Sequence, residues 1–365
     1  VTEIFVPAAL IALCVSLLVW ERSRIAGWRK KVPLRVCVTG TRGKSTVTRL
    51  AAAALRASGV KVAAKTTGSK PVLIFPDGRE TEIRRSGLPS VLEQKRVLRW
   101  AAAVGADALV AEMMSIRAES LRVESRKILR PGILGITNVR LDHLDDMGRT
   151  KREIASTLAA AVPDDAVVFL PAVDDDPAFH AAAEKRQSEI RTVADGDSTV
   201  EFPKLEFSEN IRMALAIAGR AGVDRGVALR GMAAAIPDFG EMKAWRLRAA
   251  ETAFTCVSLF AANEPESSRS ALDRVMERLT PKPASLVALL NFRADRGDRT
   301  RQWLDALENG WFRDFDRLVF AGDHASALAR MRRWSGLDAP RVSAVGARAP
   351  EAIMDGIRPF LTREC

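Results

Sequence analysis

The chain opens on IFVPAALIALCVSLLVW, Ile4 to Trp20, a run without a charge, followed at once by Arg22, Arg24, Arg29, Lys30 and Lys31. At about 1.5 Å per residue such a run lies near the short end of the roughly 17 to 25 residues that cross a bilayer. Trp20 and Trp28 suit its interface. A cleaved signal peptide carries basic residues before its apolar core and small residues after it, and here the basic cluster comes after. The pattern predicts a transmembrane helix whose basic flank places the remainder in the cytoplasm. A buried core helix, the alternative, usually carries a polar stripe.

From Pro33 the period changes. LRVCVTG (Leu34 to Gly40) reads as a short strand ending in glycine, and TVTRLAAAALRASG (Thr46 to Gly59) as a helix with a glycine stop. VKVAAKTTGS predicts a second strand, and KPVLIFPDGRETEIRRS a hairpin turning at Asp77-Gly78, where the pair supplies positive φ. A helix over 90–105 follows, then strands at Asp107 to Ser115, Gly132 to Val139 and Ala166 to Pro171. Strands alternating with helices predict a doubly wound, mainly parallel α/β sheet. At Ala234 to Trp245 a proline and a glycine break the rhythm, and a smaller α/β domain begins. Its elements are TAFTCVSLFAANEP, the helix SSRSALDRVMERL, the strand ASLVALLNFRADR, a helix from Arg301 to Leu307, the strand RLVFAG and a last helix pair. The expected division is therefore 1–31 for the anchor and its basic flank, 32–240 for a central domain and 241–365 for a second α/β domain.

Composition narrows the classes. With 365 residues, 47% hydrophobic and 28% charged, the chain is ordinary globular material, long enough for two cores. Cys14, Cys37, Cys256 and Cys365 are too scattered for a disulfide framework or a zinc site, so a reducing compartment fits. The net charge of +11 suits nucleic acid, an anionic membrane or an acidic substrate. Nucleic acid is disfavoured, because the chain has no tyrosine, only 6% aromatics and no recognised reading motif.

The candidate chemistry begins at VTGTRGKSTVTRL. Gly40, Thr41, Arg42, Gly43, Lys44, Ser45 and Thr46 form a loop between strand and helix that turns backbone N–H groups and the positive helix end toward an anion. Phosphate is the natural occupant, with Lys44 on its outer oxygens and the Ser45 hydroxyl on Mg²⁺. The full G-x-x-x-x-G-K-[ST] pattern is matched in part, since Val38 stands at its first glycine. Glu112 after the strand DALVA and His143 in TNVRLDHLDDMG stand beyond strand ends, where a carboxylate and an imidazole can share a divalent cation with Ser45. His180 and His324 have no such setting and read as surface residues.

GTRGKST, AEMMS and TNVRLDHLDDMG together resemble the ATP-dependent amide ligases of the Mur ligase superfamily, which includes folylpolyglutamate synthase. LEQKRVL, FAANEPESS and above all NFRADRGDRTRQ, behind one apolar segment, resemble the ATP-binding ligase subunit of poly-γ-glutamate synthase, the CapB family. The resemblance implies a Mur-ligase-like fold in which ATP phosphorylates a carboxylate and an amine attacks the acyl phosphate. Lys44, Glu112 and His143 would be catalytic, with Mg²⁺ on Ser45, Glu112 and His143. Asn138 and, from the second domain, Asn263, Arg293, Asp295 and Arg296 would bind the nucleotide, with Asp298 and Arg299 beside them. Closure of the second domain would exclude water.

The substrates implied are glutamate and a growing polyanion, for which Lys65, Thr66, Thr67, Arg84, Arg85 and Lys95 are candidate contacts. The resemblance also implies a bacterial cell membrane location, with a small multi-span subunit and an extracytoplasmic subunit as partners, because one span cannot make a channel. Three departures stand out. Thr157 occupies the place where many Mur ligases have a metal-bridging carbamylated lysine, Lys243 stands where the capsule ligases have a hinge arginine, and the chain stops at FLTREC before an expected glycine-rich stretch. A membrane-associated P-loop ATPase and a folate-type ligase stay open as other readings.

Overall fold

The computed structural model describes residues 2–68, 70–85, 87, 89–194, 207–237, 242–249, 252–260, 264–279, 282–283, 285–294, 297–330, 342–346 and 350–360. Two compact units divide the chain, Val1–Phe239 and Gly240–Cys365.

Helix α1, Thr2–Lys31, begins the first unit. Its segment Val6–Lys31 is apolar and long enough to cross a membrane, and Leu10, Ile11, Leu13, Leu17, Leu18 and Trp20 stand exposed along it. Its end behaves differently. Ile25 and the following Val32 are buried in the core of the unit, with Trp28 packed against them. The helix thus runs into the folded unit without an intervening linker.

In chain order the elements of this unit are β1 Leu34–Thr39, α2 Lys44–Ala57, β2 Val62–Thr66, β3 Val72–Ile74, β4 Glu80–Glu82, α3 Leu92–Ala103 and β5 Ala108–Glu112. Next come α4 Ala118–Arg122 running into a π-helical segment Val123–Leu129, β6 Ile133–Ile136, α5 Leu144–Met147, α6 Lys151–Ala159, β7 Val167–Pro171, α7 Pro177–Glu184, β8 Glu189–Val193, α8 Ser208–Arg220 and α9 Arg225–Ala233. One eight-stranded sheet has the order β4-β3-β2-β5-β1-β6-β7-β8. The strands from β2 to β8 in that order pair in parallel, and the β3–β4 hairpin adds an antiparallel edge.

The central strands are mainly apolar because both faces are covered. Ala108 and Val110 of β5 join one core with Leu55 of α2, Met213 and Ile217 of α8 and Met232 of α9. Leu109 and Ala111 point the other way, into a core with Leu98 of α3, Leu129, Leu158 and Phe179. This is the doubly wound sheet that the alternation predicted. The strand β8 and helices α4–α9 went unread in the sequence. β8, EIRTV, is a short edge strand whose Glu189 and Arg191 are exposed, so it lacks the apolar run of its neighbours.

The second unit holds two small sheets, an antiparallel pair β9 Lys243–Ala249 and β10 Thr252–Ser258, and a parallel set in the order β11-β12-β13. These last are Val287–Phe292, Arg317–Gly322 and Val342–Ala344, with helices α10 Pro265–Arg278, α11 Gly297–Glu308, α12 Ala325–Arg330 and α13 Pro350–Ile357. Phe292, Phe312, Phe315 and Phe320 form its buried centre, with Trp303 and Trp311 against them. The expected smaller α/β body is present.

Helix α9 approaches α2 at Gly231, where an added Cβ would lie 2.6 Å from both the Ala53 carbonyl oxygen and the Ala57 Cβ. Gly231→Val should therefore destabilise the first unit by about 1–3 kcal/mol through overpacking. A lowered urea midpoint checks this, and an unchanged one contradicts so close a contact.

Candidate active site

The loop after β1 is shaped by two glycines in the left-handed half of backbone space. Gly40 has φ +123°, and a Cβ there would meet the Thr137 hydroxyl at 2.2 Å. Gly43 has φ +76°, and its Cβ would meet Asn210 Oδ1 at 2.4 Å. Between them the chain is pinned by Asn138, two residues beyond β6. Its Oδ1 accepts from the Thr41 hydroxyl at 2.6 Å and from the Arg42 N–H at 3.0 Å, while its Nδ2 donates to the Arg42 carbonyl at 3.2 Å. The Arg140 N–H adds a bond to Thr41 Oγ1 at 2.9 Å. Asn138, expected at the nucleotide, thus has both ends of its amide on the loop itself.

Gly43 begins α2, no side chain caps that end, and its first turn holds no acidic residue. The uncapped N–H groups and the helix dipole leave a place for an anion. Lys44 folds back over the loop, with Nζ donating to the carbonyls of Gly40 at 2.7 Å and Thr41 at 3.0 Å. Burial lowers its pKa below that of an ordinary lysine, opposed by the charges of Glu112 and Asp142. A half-buried cation over an uncapped helix end is set to pair with phosphate oxygens.

Glu112 is the last residue of β5 and lies beside Val38 of β1, so sheet register carries it to the loop. The residue is 2% exposed. Its Oε2 accepts from the Ser45 hydroxyl at 2.8 Å and the Thr67 N–H at 2.6 Å. It makes no direct ion pair among the described residues. A buried carboxylate and a hydroxyl, hard oxygens without a cation of their own, fit a divalent ion.

His143 starts α5 with φ +48°, and its side chain is 35% exposed, with Nε2 3.8 Å from Asp142 Oδ2. Asp142 in turn lies 3.4 Å from the Arg42 guanidinium. The imidazole is thereby tied to the loop through Asp142, a residue that the sequence reading passed over although it adjoins His143. Among the described residues no group of three or more His, Cys, Asp and Glu side chains gathers as a metal site. Ser45 and Glu112 are joined directly, and His143 reaches the loop through its neighbour. Thr157 donates from its hydroxyl to the Met147 carbonyl at 2.9 Å, tying α6 to the end of α5.

One of the basic candidates needs correction. Lys65 lies within β2, is fully buried and is paired with Glu93 at 3.1 Å, so it cannot be a substrate contact. Lys95 pairs with Glu21 of α1. Thr66 is buried, Thr67 offers its N–H to Glu112, Arg84 is exposed, and Arg85 is bonded to Glu93. Two buried groups that sequence reasoning missed support Glu112 from behind. Gln94 donates to the Glu112 carbonyl at 2.9 Å, and Glu124 accepts from the N–H groups of Met114 at 3.1 Å and Ser115 at 3.2 Å. In the second unit Arg293 follows β11 and is exposed, Arg299 is buried, and Asn263, Asp295 and Arg296 lie outside the described residues. His180 and His324 are exposed, as read.

A parallel sheet centred on β1, with a lysine loop and a carboxylate at its carboxyl edge, is the Mur ligase architecture. The Mur ligase middle domain family matches residues 38–219. Mycobacterium tuberculosis folylpolyglutamate synthase, solved with ADP and AMPPCP, shares the fold with a TM-score of 0.65 at 17% identity, over 95% of this chain and 91% of that one. Residues 245–364 match the poly-gamma-glutamate synthase CapB C-terminal domain. PGA synthase CapB of Bacillus subtilis (strain 168) is 30% identical over 357 residues, 95% of this chain and 90% of that protein. Capsule biosynthesis protein CapB of Bacillus anthracis is 33% identical over 305 residues, 80% of this chain and 65% of that protein, so the chain spans just under two thirds of it. The chain belongs to the CapB family of Mur-ligase-fold proteins.

Asn138→Ala would remove the side-chain acceptor of the Arg42 N–H and the shorter of two acceptors of the Thr41 hydroxyl, which keeps the Asn138 carbonyl at 3.3 Å. A stability loss of about 1–3 kcal/mol is expected from those lost bonds. Urea unfolding measures it, and an unaltered midpoint would contradict the pinning role.

Proposed function

We propose that the chain is a membrane-anchored, ATP-dependent amide ligase that extends poly-γ-glutamate. The observation supporting this most strongly is the joining of the Lys44 loop, through Ser45, to buried Glu112 at one sheet edge, in a chain of the CapB family. On this reading the loop N–H groups and Lys44 hold the β- and γ-phosphates of ATP. The γ-phosphoryl passes to a substrate carboxylate, releasing ADP. The amine of the next amino acid attacks the acyl carbon, and the tetrahedral intermediate collapses to an amide with loss of phosphate.

Ser45, Glu112 and His143 would hold Mg²⁺, which when bound supplies neutralising charge beside the phosphates. Lys44 would stabilise charge on the transferring group, a task of positioning and electrostatics. Glutamate and the growing polymer are the substrates. Among the described residues one helix is long and apolar enough to cross a membrane, and the family likeness supports a multi-span subunit and an extracytoplasmic subunit as partners. The basic flank Arg22 to Lys31 orients the folded units to the cytoplasmic side of a bacterial cell membrane.

The test is ADP release by the purified full chain with Mg-ATP, with and without glutamate and a γ-linked glutamyl oligomer. Turnover should require the acid substrates, and Lys44→Ala or His143→Ala should each abolish it. Acid-independent turnover would instead favour an ATPase, turnover requiring folate a folate-type ligase, and full activity in either variant would overturn the site assignment.

A further inference from the structure

Beside the site lies a buried charge cluster that the mechanism above does not use. Lys65 of β2 has no solvent exposure, and its ammonium lies 3.1 Å from Glu93 Oε1, with side-chain exposures of 0% and 10%. The same carboxylate holds Arg85, through Nε to Oε2 at 2.7 Å and Nη2 to Oε1 at 3.0 Å. Glu93 sits in the first turn of α3, where the helix dipole also favours its charge. Burial pushes its carboxyl up, but the Arg85 bond and the Lys65 charge outweigh that and hold it below the ordinary glutamate value. The Glu93 bond holds Arg85 above the ordinary arginine value, and the charge of Glu112 adds to the effect. Gln94, the residue after Glu93, donates to the Glu112 carbonyl at 2.9 Å, which sets the cluster beside the site.

Two cations on one carboxylate are more than a structural pair requires. The fork from Glu93 takes the Nε–Nη2 edge of Arg85. The Nη1 edge makes no hydrogen bond among the described residues, and the side chain keeps 21% of its exposure. Lys65 is sealed in and cannot meet a substrate. Its position supplies the counter-charge that keeps Glu93 ionised, and Glu93 fixes the plane of the Arg85 guanidinium. A planar donor edge held rigid next to the site is the arrangement that receives a carboxylate.

We propose that Arg85 binds a free carboxylate of the γ-linked glutamyl chain, and that Glu93 and buried Lys65 are positioning residues that hold its guanidinium for that purpose. This rests on the ligase reading for the identity of the anion. It also divides the basic candidates by role, since Arg85 touches substrate and Lys65 acts through Glu93.

The test is direct binding of a fluorescent γ-linked glutamyl oligomer, and separately of ADP, to the purified full chain and its variants. Arg85→Gln should weaken oligomer binding about tenfold or more, as loss of a charged hydrogen bond does, and leave ADP affinity within about twofold. Arg85→Lys should recover part of the loss. Glu93→Gln leaves Lys65 buried opposite a neutral amide and can fail to fold, so Lys65→Met/Glu93→Gln, which removes both charges, is measured beside it. Either variant, if folded, should weaken oligomer binding while keeping ADP binding and should raise KM for the oligomer more than it lowers kcat. Equal oligomer affinity in the wild type and Arg85→Gln, or no oligomer binding by either, overturns the assignment of Arg85. Unchanged oligomer affinity in the double variant overturns the positioning role. Acid-independent ADP release by a wild type whose oligomer binding still depends on Arg85 overturns the ligase reading alone.

Discussion

A carboxylate shut away from water at the end of a parallel strand must be answered by donors or by a cation, and Glu112 determines much of what surrounds it. The Ser45 hydroxyl and the Thr67 N–H satisfy one of its oxygens, which ties the first turn of α2 to the segment leaving β2. Its backbone carbonyl takes Gln94, fixing α3 behind the same edge. Three elements distant in sequence are thus oriented by one residue. The cost of burying its charge is met in part by these bonds, and the remainder makes the position receptive to a metal ion.

The glycine loop after β1 complements it. Gly40 and Gly43 allow the chain to turn where side chains would collide with Thr137 and Asn210, and Asn138 locks the turn from the neighbouring strand. Lys44 is held over the loop by two carbonyls at the expense of its hydration. An anion at the uncapped start of α2 would exchange those carbonyls for oxygens carrying full charge, which is the electrostatic preference the site is built around.

Much of this was legible in the residues. Apolar runs of strand length, glycine stops and the Asp77-Gly78 turn marked the parallel sheet and its hairpin, because burial on both faces leaves an unbroken signature. Gly-Lys-Ser-Thr after a strand, and Glu112 and His143 beyond two others, marked the site edge, since strand ends converge there. The pairings were not legible. Lys65 reads like any surface lysine until Glu93, on a helix beyond the intervening hairpin, is folded against it, and nothing in the local pattern around Asn138 shows that its amide holds the loop. Such contacts join positions far apart in sequence, and a local pattern holds no record of them. β8 escaped notice because an exposed edge strand has charged residues where an interior strand has valines.

Helix α1 adds a constraint of another kind. Its apolar length stands exposed, yet Ile25 and Val32 at its end enter the core that also supports β5. The apolar helix is thus continuous with that core instead of joined to it by a flexible tether. The central claim, that Glu112 and Ser45 hold a divalent ion beside bound phosphates, is tested most directly by titrating ADP into the wild type and Glu112→Gln with and without Mg²⁺. The account predicts that Mg²⁺ strengthens wild-type binding by at least about tenfold and that the variant loses most of that gain. A gain of equal size in both proteins would contradict it.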